Sequence, residues 1–237
     1  MPGAVSAAAG PWGTFSDASS AATRQTVRMH RSLGAILTGG AARRMGGSKV
    51  DRRLPTPAGP HAPTLLEAAW RLVRAVVDGP VVAIGRPPGM AADELPVAGT
   101  RIPVVPDRRP GKGPLAGLET ALGVAMEARH ERVLLMPCDM PWLVAADLER
   151  LLRHPAPLVH GSPGGLPLAC DATDTLREMV AGAIDADRLR LREFLRAAGA
   201  RTLAVHPEAA IRHANINRPE DLTAAPVPPT PPRPPAR

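Results

Sequence analysis

Short apolar runs alternate with longer segments of helical spacing along the central part of the chain. Four runs have the length and composition of buried strands, at 33–37, 81–85, 102–105 and 132–136. Within residues 64–77, apolar side chains recur every three or four positions, as on the buried face of a helix. Apolar strands that alternate with such helices are typical of parallel sheets covered on both faces. The pattern therefore predicts an α/β fold with a mostly parallel central sheet.

The remaining segments extend this alternation. Thr64 and Glu67 have the spacing of a capping box at the start of the first helix. Residues 86–101 are broken by proline and glycine and are interpreted as an irregular crossing. Further elements are predicted as helices after Gly113 and at 143–152, 173–184 and 187–199, as strands at 158–160, 166–170 and 201–205, and as a short helix opened by Pro219.

The two ends of the chain differ in composition from its centre. Residues 1–30 are mostly small and polar without periodicity, and residues 224–237 are mostly proline. Neither composition can bury a hydrophobic core. We therefore predict a disordered N-terminal extension (1–30), one α/β domain of ordinary size (31–223) and a disordered proline-rich tail (224–237).

Charge and composition narrow the classes of partner. The formal net charge of +7 suits an anionic ligand, but aromatic residues make up only 2% of the chain and no basic run is interleaved with them. Stacking platforms for nucleic acid are therefore not expected. No apolar run has the length of a membrane span, and two cysteines are too few for a disulfide scaffold. These features predict a protein of the reducing cytoplasm without nucleic-acid or membrane partners.

The first strand leads directly into a glycine-rich, cationic loop. Gly39 and Gly40 begin this loop, and Arg43, Arg44 and Lys49 supply its charge. Glycine lets backbone N–H groups approach phosphate oxygens closely, and the cations offset polyphosphate charge. A surface turn with solvated arginines is the alternative. A Walker A loop and a G-x-G-x-x-G fingerprint are both excluded by the spacing.

Other polar residues follow later strands. Asp107 and a second glycine-rich loop follow the strand at 102–105, and Asp139 follows the strand at 132–136. Ligand sites of parallel sheets lie beyond the carboxyl ends of the strands, where a carboxylate can hold Mg²⁺ against phosphate oxygens. A turn or helix-capping aspartate is the alternative for Asp139. Asn215 and Asn217, two positions apart, are expected to point the same way from an extended chain.

Four separated segments together resemble one known family. The chain is similar to the molybdenum cofactor guanylyltransferases in the order and spacing of residues 33–49, Asp107 with 113–118, 138–141 and 215–222. This resemblance covers residues 33–222. It implies a Rossmann-like, three-layer nucleotidyltransferase fold and transfer of GMP from Mg²⁺-bound GTP to the terminal phosphate of molybdopterin or the molybdenum cofactor, with release of pyrophosphate. It also implies transient contact with proteins that mature molybdoenzymes.

The resemblance also implies roles for individual residues. The implied catalytic residues are Lys49, Asp139 and Arg44, with Asp139 as the Mg²⁺ ligand. The implied acceptor-binding residues are Asn215 and Asn217. The implied nucleotide-binding residues are Leu37, Thr38, Gly39, Gly40, Lys49, Asp107, Gly113, Pro114 and Asp139.

Some positions depart from the family pattern and keep alternatives open. Ser48 replaces the usual acidic residue, and Thr38 replaces the usual alanine. Gly85 ends a strand where asparagine is common, and Leu166 takes the place of histidine in the usual His-Pro pair. A related transferase that uses CTP or another phosphorylated acceptor is therefore an alternative. A second alternative is a non-catalytic nucleotide-binding homologue. The presence of both Lys49 and Asp139 argues against it.

Overall fold

The computed structural model describes residues 31–39, 49–55, 62–205, 207–218 and 220–221. The predicted extensions at 1–30 and 224–237 lie outside the described residues. The domain boundaries therefore stay predictions.

The described part of the chain contains one eight-stranded sheet with the order β3-β4-β2-β1-β5-β7-β6-β8. Its strands are β1 (Ser32–Leu37), β2 (Val81–Ile84), β3 (Glu94–Val97), β4 (Thr100–Val105), β5 (Arg132–Pro137), β6 (Leu158–His160), β7 (Leu168–Asp171) and β8 (Arg201–Thr202). The four central strands β4, β2, β1 and β5 run parallel, and β8 is parallel to β6. Only β3 and β7 run in the opposite direction. The predicted mostly parallel sheet is confirmed.

Helices cover both faces of this sheet. They are α1 (Leu65–Val76), α2 (Pro114–Glu127), α3 (Ala145–Leu152), α4 (Asp174–Asp185) and α5 (Leu191–Ala197), followed by a 3₁₀ segment, Pro207–His213. Alternate residues of β5 enter opposite cores: Val133 and Leu135 pack with α2, α4 and α5, and Leu134 and Met136 pack with α1 and α3. Because β5 is buried on both faces, its apolar run is continuous. The three-layer α/β architecture is confirmed.

The first helix begins as its sequence predicts. The Thr64 hydroxyl accepts a hydrogen bond from the Glu67 amide at 3.1 Å, and the Glu67 carboxylate accepts one from the Thr64 amide at 2.9 Å. This reciprocal pair satisfies two amides that the helix itself leaves without partners.

Several predicted elements are wrong in extent. The supposed crossing contains β3, an edge strand that tolerates Pro96 because an edge position does not need every ladder donor. The helix predicted from residue 187 begins at Leu191, after Asp187 adopts a positive φ of 53°. The strand predicted at 166–170 is Leu168–Asp171, and that predicted at 201–205 covers only two residues. No helix in the described part of the chain is long and apolar enough to cross a bilayer.

Candidate active site

A cavity of about 270 Å³ opens beyond the carboxyl ends of β1 and β5. Its wall combines the end of β1, the turn after β5, the start of α2 and one residue near the C-terminus. Among the described residues it is lined by Leu37, Thr38, Gly39, Lys49, Pro88, Pro114, Pro137, Cys138, Asp139, Leu166 and Asn215. This is the position at which parallel α/β sheets bind ligands.

Thr38 joins the ends of β1 and β2. Its amide donates to the Ile84 carbonyl at 2.9 Å, and its hydroxyl lies 2.6 Å from the Gly85 carbonyl. Alanine, the usual residue here, could not make the second contact. Gly85 has a φ of +80°, and a Cβ there would lie 2.9 Å from both the Gly39 Cα and an Asp107 oxygen. Two departures from the family pattern, Thr38 and Gly85, are thus in direct contact and build one wall of the site.

Asp107 contributes a partly buried carboxylate beside this wall. Its Oδ2 lies 3.4 Å from the position a Cβ would take at Gly39. Its Oδ1 is buried and has no hydrogen-bond partner among the described residues. Burial raises the pKa of the Asp107 carboxyl because ionisation is less favourable away from water. A ligand hydroxyl or amine could satisfy this oxygen.

The N-terminus of α2 reaches the same cavity. Gly113 is the N-cap, with φ 70° and ψ −157°, and no side chain caps the helix. Pro114 occupies the first turn, where the missing N–H has no cost. A Cβ on Gly117 would lie only 2.3 Å from a Leu37 methyl, so glycine lets the helix approach the end of β1. The Ala116 and Gly117 amides donate to the Gly113 carbonyl at 3.1 and 3.4 Å, so it is the helix dipole that favours an anion at this position.

Lys49 and Asp139 form the charged centre of the cavity. The Lys49 Nζ lies 2.8 Å from the Asp139 Oδ2, and the two side chains are 21% and 14% exposed. The other oxygen, Asp139 Oδ1, is buried without a hydrogen-bond partner among the described residues. A half-buried ion pair with one unsatisfied oxygen is poised to accept further polar contacts.

The asparagine segment lies against this pair. Asn215 lines the cavity, and the Asn217 Oδ1 lies 3.3 Å from the Lys49 Nζ. Ile216 between them is buried against Leu54 and Leu65. The expectation that the two asparagines point the same way is confirmed, because the intervening isoleucine packs in the opposite direction.

This segment is fixed at both ends. The Ile216 amide donates to the Asp139 backbone carbonyl at 2.8 Å. The Asp221 carboxylate accepts from the Asn217 and Arg218 amides at 2.7 and 2.8 Å. These backbone hydrogen bonds lower the pKa of Asp221. The structure therefore holds both asparagines in place through backbone contacts to Asp139 and through the Asp221 carboxylate.

The second glycine-rich loop contributes little charge to the cavity. The Lys112 Nζ lies 2.9 Å from an Asp187 oxygen, and the Arg109 Nε lies 3.1 Å from a Glu119 oxygen. Neither cation lines the cavity. In the described part of the site, Lys49 is thus the cation closest to Asp139.

Most predicted site residues converge. Leu37, Thr38, Gly39, Lys49, Pro114, Asp139 and Asn215 all line one cavity, while Asp107, Gly113 and Asn217 adjoin it. Gly40, Arg43 and Arg44 lie outside the described residues, so their predicted roles stay predictions.

Part of the cavity wall consists of residues that the sequence did not predict as site residues. Cys138 is buried and also lines the cavity. Burial raises its pKa to about 12, so the thiol stays protonated and is not a nucleophile. Pro88 and Leu166 also line the wall. Pro88 lies shortly after Gly85. Its position just beyond the end of a predicted strand is the only sequence feature that could have indicated a place in the site.

The carboxylates have the chemistry of a Mg²⁺ site that needs a substrate. No group of three or more His, Cys, Asp or Glu side chains within the described ranges could hold a metal ion by itself. Mg²⁺ characteristically uses one or two protein carboxylates and completes its shell with phosphate oxygens and water. The unpartnered Asp139 Oδ1 fits this requirement.

Solved structures establish the fold first. The chain superposes on a nucleotidyl transferase from Methanothermobacter thermautotroptrophicus with a TM-score of 0.58 at 20% identity, covering 82% of this chain and 95% of that one. A cytidylyltransferase from Thermus thermophilus gives a TM-score of 0.54 at 17% identity, covering 81% and 95%. The fold is that of the nucleotidyltransferases.

Sequence comparison then defines the family. The model of the MobA-like NTP transferase domain matches residues 34–205. The molybdenum cofactor guanylyltransferase of Pseudomonas fluorescens is 32% identical over 195 residues, covering 79% of this chain and 90% of the relative. That of Acidiphilium cryptum is 35% identical over 196 residues, covering 80% and 91%. The chain belongs to the MobA-like nucleotidyltransferases.

Proposed function

We propose that the chain transfers GMP from GTP to the terminal phosphate of molybdopterin or the molybdenum cofactor and releases pyrophosphate. The observation that supports this most directly is the Lys49–Asp139 pair, which faces a cavity at the carboxyl edge of a nucleotidyltransferase sheet. Relatives that match most of the chain are molybdenum cofactor guanylyltransferases, which supports a guanine nucleotide and this acceptor.

The reaction needs positioning and charge stabilisation more than a strong base. An oxygen of the acceptor phosphate forms a bond to the α-phosphorus of GTP, and the bond from that phosphorus to the oxygen bridging to the β-phosphate breaks. The attacking phosphate is already anionic near neutral pH, so no proton must be removed by the protein. Preorganised positive groups near the transferred and leaving phosphates lower the barrier.

Two features of the cavity supply such groups. Lys49 presents an ammonium group, which is held by Asp139 and by the Ile216 carbonyl at 3.3 Å. The N-terminus of α2 contributes the positive end of its helix dipole from a fixed direction. Because the surrounding contacts fix both, little reorganisation is required when phosphates bind.

The same cavity supports a proposed assignment of its nucleoside and acceptor ends. Asp107 and Gly39 adjoin on the β1 side of the cavity, where the unpartnered carboxylate oxygen suits the nucleoside. Asn215 and Asn217 lie on the other side of Lys49 and suit the pterin acceptor. Asp139 would hold Mg²⁺ through Oδ1, and the ion would neutralise phosphate charge when bound.

A nucleotide panel tests the proposal. Purified full-length protein is incubated with Mg²⁺, molybdopterin and each of GTP, CTP, ATP and UTP, and pyrophosphate release is measured. We expect release with GTP that depends on the acceptor. Release with CTP in place of GTP would move the chain to the CTP-using alternative. Release that needs no acceptor would contradict transfer to molybdopterin.

A further inference from the structure

A second, larger cleft lies beside the candidate active site. It has a volume of about 860 Å³, within the range of ligand pockets. Its described lining consists of His160, Gly161, Ser162, Pro163, Arg192, Arg196, Ala200, Thr202, Leu203, Ala204, Val205, Ala210, His213 and Ala214. We call this set the second cleft.

The second cleft adjoins the active-site cavity along two segments. Ala214 lines the second cleft, and the next residue, Asn215, lines the first cavity. The turn after β6 does the same, because Ser162 lines the second cleft and Leu166 the first. The Ser162 hydroxyl donates to the Leu166 carbonyl and closes this turn. A molecule held near the asparagines could therefore extend into the second cleft.

Among the described residues that line the second cleft, positive charge has no ion-pair partner. Arg192 and Arg196 are exposed, lie four residues apart on α5, and form no ion pair among the described residues. The nearby acidic residue of the helix, Glu193, is 2.9 Å from Arg190 instead. No carboxylate stands among the described lining residues. Two unpaired guanidinium groups favour an anionic or hydrogen-bond-accepting ligand.

The two histidines have different roles. The His160 Nδ1 donates to the Ser162 carbonyl at 2.9 Å, and its Nε2 accepts from the Thr202 hydroxyl at 3.0 Å, so both ring nitrogens are occupied. The His213 Nδ1 is buried and has no partner among the described residues. Burial lowers the pKa of His213, so its ring is neutral near pH 7. It can contribute a hydrogen bond without adding charge.

We propose that the second cleft binds the end of the acceptor that is remote from the reacting phosphate, and that Arg192 and Arg196 determine acceptor affinity. This inference rests on the proposed function. A flat heterocycle with carbonyl and ring-nitrogen acceptors suits guanidinium groups, which stack on planar rings and donate in a fixed fork. Apolar residues such as Pro163, Leu203 and Val205 would cover its faces.

The test compares charge-neutralised variants with a matched control. Arg192→Gln/Arg196→Gln removes both guanidinium groups, and Arg71→Gln/Arg101→Gln removes two exposed arginines outside both cavities. Steady-state kinetics are measured with GTP and molybdopterin. We expect the acceptor KM of the first variant to rise about tenfold or more. Its kcat at saturating acceptor and its KM for GTP should match the control. An acceptor KM within about twofold of the control would overturn the inference.

Direct binding separates this inference from the proposed function. Binding of molybdopterin to the full chain is measured by calorimetry without nucleotide. If the wild-type protein bound molybdopterin but released no pyrophosphate, the proposed function would fail. The binding data would then still test whether the second cleft binds the acceptor. Weaker binding by Arg192→Gln/Arg196→Gln than by the control would then support it. Equal binding by the two variants would overturn it.

Discussion

Two ion pairs at opposite edges of the same sheet show the difference between a structural and a functional charge. At the amino end of β5, the Arg132 side chain is 2% exposed and lies 2.5 Å from an Asp171 oxygen. It also donates to the carbonyls of Leu151, His154 and Ala156. At the carboxyl end of β5, Asp139 pairs with Lys49 at 2.8 Å. Its second oxygen remains without a partner and beside a cavity.

The difference lies in what the protein supplies for each charge. The chain itself provides four acceptors for Arg132, and these tie β5, β7 and the loop after α3 together. The Asp139 site instead leaves capacity for an external group. The Arg132 Nε is also buried without a partner among the described residues, but Arg132 does not line the cavity, whereas Asp139 does. A buried charge held by several protein acceptors contributes to stability, and an incomplete one beside a cavity indicates a ligand. Variants of the two pairs should therefore separate stability from activity.

The largest effect on activity is expected for Asp139→Asn. This change keeps the size of the side chain but removes the charge that a metal or phosphate site requires. We expect turnover to fall by about 10²- to 10³-fold, equivalent to roughly 3–4 kcal/mol of barrier, with little change in melting temperature. Pyrophosphate release across a Mg²⁺ titration measures it. A turn-capping aspartate would give near wild-type turnover, because asparagine caps nearly as well.

The matching change in the other pair should reverse this outcome. Arg132→Met removes the buried charge and its hydrogen bonds to three carbonyls. We expect the free energy of unfolding to fall by about 3 kcal/mol, measured by urea denaturation, because the carbonyls and Asp171 lose their partner. The KM for nucleotide should be unchanged. A raised KM with unchanged stability would show that Arg132 serves the nucleotide site and not the stability of the fold, which would contradict our comparison of the two ion pairs.

Lys49→Ala should weaken nucleotide binding without unfolding the protein. A charge-assisted contact to phosphate contributes about 2 kcal/mol, so calorimetry should show roughly a 30-fold loss of GTP affinity. Arg101→Ala is the control, because Arg101 pairs with Glu94 at the exposed edge of the sheet. If GTP affinity were the same in both variants, Lys49 would be an ordinary surface charge.

The smallest effect is expected for Asp107→Asn, which should raise the stability of the unliganded protein. Burial raises the pKa of Asp107, so near pH 7 the ionised carboxylate costs the folded state free energy. Asparagine should stabilise the unliganded protein by on the order of 1 kcal/mol. As pH falls below the ordinary carboxyl pKa, both states become protonated and this gain should disappear. Denaturation at pH 7 and at low pH measures it, and a gain independent of pH would contradict the burial argument.

The central fold and the charged centre could be predicted from the sequence because each depends on local signals. The apolar run at 33–37 predicts a strand by itself. The carboxyl ends of parallel strands meet at one edge, so Lys49, Asp107 and Asp139 were expected together. Their convergence follows from topology, without any knowledge of side-chain contacts.

The parts that could not be predicted depend on contacts between distant segments. The hydrogen bond between the Thr38 hydroxyl and the Gly85 carbonyl joins residues 47 positions apart, and no local pattern around either residue predicts it. The second cleft combines β6, α5 and the segment before Asn215, which share no motif. Strand β3 was missed because its proline and the following turn outweigh four residues of strand pattern.

Transfer of labelled GMP tests the central claim most directly. GTP labelled either at the α- or at the γ-phosphate is incubated with the protein, Mg²⁺ and molybdopterin, and the products are separated. Nucleotidyl transfer predicts that the α-label appears on the acceptor and the γ-label in pyrophosphate. A γ-label on the acceptor, or in free inorganic phosphate with the α-label retained in GDP, would contradict the account.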